Sequence, residues 1–126
     1  MSLDQVIAGD MSSEALRVKR PGAPALALRR IFESQEVGVF QVALSDGERV
    51  PVGHDALVVL ILCLAGEIAL TAEGRDMNLA VGAYAVIPEG EAAEIAAQDG
   101  AAEALLFFGL DQLPGAFFNS YGSANV

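Results

Sequence analysis

Short runs of Val, Ile, Leu and Phe recur along the chain from about residue 25 onward. Glycine-containing pairs fall between many of them: Asp46-Gly47, Ala65-Gly66, Glu73-Gly74, Val81-Gly82, Glu89-Gly90 and Asp99-Gly100. Glycine reaches positive φ without steric cost, which tight hairpin turns demand, so this spacing predicts consecutive antiparallel strands. The pattern places them at about 25–32, 37–44, 56–64, 67–72, 75–80, 83–87, 92–98 and 102–108. Eight short strands without a helical period predict an all-β fold, a sandwich or a barrel. The run 56–64 is apolar at every position. Both of its faces therefore need cover, as in a central strand overlaid by another strand layer or by a partner subunit.

Around these strands the chain divides into a leader over 1–24, expected to be irregular, a barrel over 25–110 and a loop-like tail over 111–126. In the tail Phe117 and Phe118 must pack somewhere. At 126 residues and 53% hydrophobic there is material for one core and one domain. The formal charge is −10, from 17 acidic against 7 basic side chains. That balance opposes nucleic acid and anionic membrane surfaces, because neither would gain attraction or counterion release.

Five of the seven basic residues, Arg17, Lys19, Arg20, Arg29 and Arg30, stand in the first thirty positions. Such a segment is expected to dock on its own acidic barrel or on a second subunit's, and a homodimer is the expected assembly. Cys63 is the sole cysteine, which rules out an intrachain disulfide. The longest apolar stretch, 56–65, is half of what a membrane helix needs, and no apolar run follows a basic region near the start. A cytoplasmic location without a membrane partner is the expectation.

The stretch from Gly47 to Phe108 resembles the core of the cupin superfamily. Gly47 and Gly66 stand at the separation of that family's first motif, with Gly53, Asp55 and Val59 at its three ligand positions. Gly82, Pro88 and Gly90 match the second motif in register, whereas Ala93 and Ala97 replace its histidine and asparagine. The resemblance implies a double-stranded β-helix, the jelly-roll barrel. It also implies a metal site whose ligand positions are here almost empty, so neither a metal nor another cofactor is expected.

Alternation sends every second side chain inward, and in the family register Asp55, Leu57, Val59, Ile61 and Cys63 share one face. Asp55 and Cys63 are too far apart along the chain to hold one ion. His54, the only histidine, should point away from the cavity unless the register shifts, in which case it faces Val59. Cys63, deep in an aliphatic strand, is expected to be an inert core thiol. Tyr84 is a candidate to line the cavity, and Glu91 should share the face of Ala93 near the mouth.

The candidate ligand-binding set is thus Asp55, Val59, Ile61, Cys63, Tyr84, Glu91, Ala93 and Ile95, with no catalytic residue assigned. One reading is a binding or regulatory module with an apolar pocket for a small apolar molecule. A second is a cupin-type enzyme, either a metal-free isomerase or lyase using Tyr84 and a carboxylate, or a metal enzyme with non-standard ligands. A third is a packed barrel serving only as an interaction domain.

Overall fold

The computed structural model describes residues 16–20 and 23–109. Phe117 and Phe118 lie outside the described residues. In chain order the strands are β1 (Leu16–Arg20), β2 (Ala23–Glu33), β3 (Gly38–Leu44), β4 (Arg49–Pro51), β5 (Val58–Ala65), β6 (Ile68–Ala72), β7 (Arg75–Leu79), β8 (Tyr84–Ile87), β9 (Ala93–Ala97) and β10 (Ala102–Gly109). Among the described residues there is no helix, and so none long and apolar enough to cross a membrane.

Two antiparallel sheets face each other as a jelly-roll barrel. One has six strands in the order β1-β2-β3-β10-β5-β8, and the other has four in the order β4-β9-β6-β7. Alternation along the strands builds the core. In β5 the inward Val59, Ile61 and Cys63 alternate with half-buried Leu60, Leu62 and Leu64. Val42 and Leu44 of β3 and Ala104 and Leu106 of β10 join them from the same sheet. Ile68 and Leu70 of β6 and Ile95 and Ala97 of β9 close the core from the other. Burying each of the larger aliphatic side chains contributes about 1.5–3 kcal/mol.

Two strands depart from the sequence expectation. The leader is not irregular throughout: β1 pairs with β2, Leu16 opposite Leu28 and Val18 opposite Leu26, and β2 itself begins at Ala23. Leu16-Arg17-Val18-Lys19-Arg20 is a short apolar/basic alternation that charge density masks. Basic residues on such an edge strand discourage further strand addition. The second is β4, three residues long and ending at Pro51, paired with β9 at the edge of the four-stranded sheet, where proline's missing N–H costs no ladder bond.

At Gly66, between β5 and β6, φ is +72°. A Cβ there would lie 2.9 Å from Ala102 Cα and would overlap the carbonyl oxygen of Ala101. Gly66→Ala therefore combines left-handed strain with a backbone clash. It is expected to cost at least about 1–3 kcal/mol, measured as a lowered urea midpoint at unchanged slope.

Candidate functional site

The motif positions meet at one end of the barrel, where the irregular stretch 52–57 before β5 faces the loop between β8 and β9. Two backbone bonds hold these segments together: Val52 N–H donates to Ala93 O at 3.0 Å and Gly90 N–H to His54 O at 2.8 Å. Gly53 belongs to this contact. A Cβ on it would run into the Glu91 carbonyl oxygen, so the chain here packs backbone against backbone and has no room for a side chain. His54 is exposed and turns back on its own chain, its Nδ1 accepting the N–H groups of Ala56 at 3.0 Å and Leu57 at 3.1 Å. The ring also stands edge-on to Phe108, with centroids 6.1 Å apart.

Around the clamped segments lies a cleft of about 260 Å³, lined by Pro51, Gly53, His54, Asp55 and the run from Gly90 to Ala93. It shares Pro51, Gly90, Glu91, Ala92 and Ala93 with a broader cleft of about 690 Å³ that continues to Thr71, Ala72, Glu73, Gly74 and Glu94. The two form one open trough along the rim. Glu73 is carried into it by the β6–β7 turn, where Glu73 and Gly74 both take positive φ, 52° and 72°. There Glu91 hydrogen-bonds the Glu73 side chain. That bond, followed by desolvation and the Glu73 charge, raises the Glu91 carboxyl above the usual carboxylate range, while Arg75 pulls the other way. Across the four-stranded sheet Arg49 pairs with Glu94 at 3.4 Å, and Thr71 donates to Asp76 at 3.0 Å. A separate cleft of about 170 Å³ lies between Phe40, His54, Leu57, Phe108 and the loop from Glu33 to Gly38.

The candidate residues divide by position. Asp55, Glu91 and Ala93 border the trough. Val59, Ile61, Cys63 and Ile95 point inward, but their exposures are 0%, 0%, 1% and 0%. A side chain bordering even a water-sized space would keep accessible surface, so no interior pocket opens beside these four.

Tyr84 is the other correction. It is 67% exposed and pairs with Leu62 on the outer face of β8, while Ala85 and Ile87 take the inward positions. Burial raises the Cys63 thiol, and its Sγ approaches the carbonyl oxygens of Gly66 and Ala65 at 3.5 and 3.6 Å. Glu73 was missed in sequence; its only signal was a place in the Glu73-Gly74 turn.

These residues do not fit a cupin metal. Among the described residues no three His, Cys, Asp or Glu side chains come together to hold an ion. Gly53, Val59 and Ala93 supply no donor, the Nδ1 of His54 is taken by the backbone, and Glu91 is bonded to Glu73.

No family model and no curated protein matches the chain in sequence. Solved structures do match it in shape. A Cupin 2 conserved barrel domain protein from Salinispora arenicola CNS-205 superposes with a TM-score of 0.65 at 10% identity, over 87% of this chain and 92% of that one. A cupin superfamily protein from Desulfitobacterium hafniense DCB-2 gives 0.62 at 21% identity, over 74% and 83%. This chain has the cupin fold. The DMSP lyase DddQ from Ruegeria pomeroyi DSS-3 shares the architecture, with a TM-score of 0.60 at 22% identity over 68% of this cupin and 47% of the lyase. Enzymes thus stand among the proteins that share this shape.

Two outcomes follow from the site. Cys63 in the native protein is expected to resist a thiol-labelling disulfide reagent and to react fully once the chain is denatured, read as equivalents of released chromophore. For Glu91, the raised folded-state value means that the folded chain binds the proton more readily than the unfolded one. Its contribution to stability is full below the unfolded value and lost as pH rises through the folded one. Glu91→Gln, which keeps a donor for Glu73 and removes the charge, is expected to melt higher than the parent near about pH 7. The gap should close as pH falls below the ordinary glutamate value of about 4.3, where the carboxyl is protonated in both the folded and the unfolded chain.

Proposed function

We propose that this cupin-fold chain is a small-molecule-binding protein of the regulatory kind. In this reading its site is the rim trough, and its ligand is a polar molecule bearing an amine or several hydroxyl groups. The observation that carries the reading is the meeting of Asp55, Glu91 and Ala93 with Glu73 around one open space, while the inward positions border none. The trough has a glycine and alanine floor and carboxyl oxygens along its sides, a surface that accepts hydrogen bonds and favours cations. The net charge of −10 raises the local concentration of such ligands by long-range attraction. The backbone bonds across Val52–Ala93 and His54–Gly90 preorganise the walls, which lowers the ordering cost of binding.

The aliphatic lining is filled, and the apolar cleft between Phe40, Leu57 and Phe108 is smaller than the trough, at about 170 Å³. The metal-free enzyme reading that pairs Tyr84 with a carboxylate is weakened, because Tyr84 stands on the outer face of its strand. A cytoplasmic location goes with this proposal.

A thermal-shift screen against metabolites grouped by charge tests it. Saturating amines or polyols should raise the melting temperature by roughly ten degrees, since a ligand at about 100 times its Kd stabilises by about 2.7 kcal/mol and each kcal/mol moves a domain of this size by about 3–6 degrees. The shift should be lost in Asp55→Ala and Glu91→Ala. Stabilisation by apolar compounds alone, or shifts indifferent to both substitutions, would defeat the proposal.

A further inference from the structure

The inward faces of β3 and β10 run on past the filled core. Val42 and Leu44 of β3 and Ala104 and Leu106 of β10 are buried, and the same parity next brings Phe40 and Phe108, which keep part of their surface accessible. The two rings meet edge to face, with centroids 5.9 Å apart and planes at 76°. With half-buried Leu57, the ring of His54 and the β2–β3 hairpin, they wall the cleft of about 170 Å³ at this end of the barrel.

Gly38 keeps that space open. In the ladder Phe108 stands opposite Val59 of β5 on one side and Gly38 of β3 on the other, so its inward face has a side chain on one flank and none on the other. A Cβ at Gly38 would meet Phe40 Cε2 at 2.8 Å and Phe108 Cδ2 at 3.8 Å, touching both rings that border the cleft. The mouth is electrically balanced, because Arg30 bridges Glu33 there at 3.6 Å. Beside it Ser34 Oγ accepts the N–H groups of Glu36 at 3.3 Å and Val37 at 3.2 Å, and it still carries a proton that it can donate.

We infer that this cleft is a second binding site, separate from the rim trough, for an uncharged molecule built on one aromatic ring with a short hydroxyl or amide arm. Size, wall chemistry and charge select that class. A cavity of about 150 Å³ lined by aliphatic and aromatic side chains takes up a benzene-sized molecule, so the volume here suits one ring with its arm at the mouth. Aromatic rings prefer offset and edge-to-face contacts, and a flat ring among Phe40, Phe108 and His54 is offered both. An anionic arm is opposed by Glu33 and by the net charge of −10, and a cationic one meets Arg30. A hydroxyl or amide arm can accept from Ser34 and carries no charge to oppose. The inference does not depend on the trough: His54 borders both spaces, whereas Asp55, Glu73 and Glu91 border the trough and not the cleft.

Benzyl alcohol is the probe, titrated into the full chain and followed through the protein's methyl resonances. Saturable shifts with a Kd of about 1 mM or below are expected, the strength open to a single-ring fragment. They should be largest at the methyls of Val37 and Leu57, which line the cleft and would feel the ring current of the bound ring. Benzoate, of the same shape but anionic, should bind at least about tenfold more weakly. Gly38→Val and Leu57→Phe each put carbon into the cleft and should weaken benzyl alcohol binding at least about tenfold. Leu57 lies outside the strands and is half-buried, so its variant reads the site even where the substitution within β3 disturbs folding. The trough is read separately with ringless amines, whose shifts depend on Asp55 and Glu91, so either reading can fail while the other stands. Absence of saturable shifts up to about 20 mM, shifts that both filling variants leave intact, or shifts lost instead in Asp55→Ala and Glu91→Ala would each overturn the inference.

Discussion

Everything in this barrel depends on the fit between two inner faces. Residues from β3, β5 and β10 on one side and β6 and β9 on the other are drawn from Val, Ile, Leu, Ala and Cys, and Ile61, Ile68, Leu70 and Ile95 are fully enclosed. Interiors packed at crystalline density leave no water-sized gap beside such side chains. The fit therefore decides where chemistry can occur. A barrel closed along its axis can receive another molecule only at its ends or on its outside. The polar groups follow that geometry, with Asp55, Glu73 and Glu91 gathered at one rim.

The same constraint separates the two sheets electrostatically. The six-stranded sheet gives up its charges almost entirely from β3 to β8, keeping Glu103 under Gln41 and Arg29. The four-stranded sheet carries Arg49, Arg75, Asp76 and Glu94 on its three charged strands. From β3 to β8 one layer is apolar on both faces, whereas the other turns charged side chains to water on one. Burial follows suit: β7 is exposed at four of its five positions, whereas β5 has no exposed position at all.

Much of the fold was legible because its signals are local. Glycine pairs marked the turns, and the eight strands drawn between them correspond to β2, β3 and β5 to β10. What was missed has a physical reason in each case. β1 alternates correctly, but three of its five residues are basic, and charge reads as solvated leader. β4 is shorter than any periodicity can detect. In β8, Tyr-Ala-Val-Ile is apolar at both parities, so only the pairing of Tyr84 with Leu62 settles which face looks inward. At the site, the approach of Gly53 to Glu91 and the bond between Glu91 and Glu73 join positions 38 and 18 residues apart, and no spacing rule reports them. The motif register brought Asp55 and Ala93 to one place; it could not say that a histidine at Gly53 would have no room.

The strand order has one further consequence, which concerns how the barrel is made. β10, the last strand described, lies between β3 and β5, and without it the six-stranded sheet is two separate pieces. During synthesis β3 and β5 emerge long before the strand that joins them, each with one ladder edge open and an aliphatic inner face unsatisfied. Closure must wait for residues 102–109 and then pay the entropy of long loops at once, which makes for high contact order and slow folding. Until that moment the nascent chain presents the kind of bare strand edge that aggregates, and it is β10, rather than any hairpin formed earlier, that joins the two pieces into one sheet.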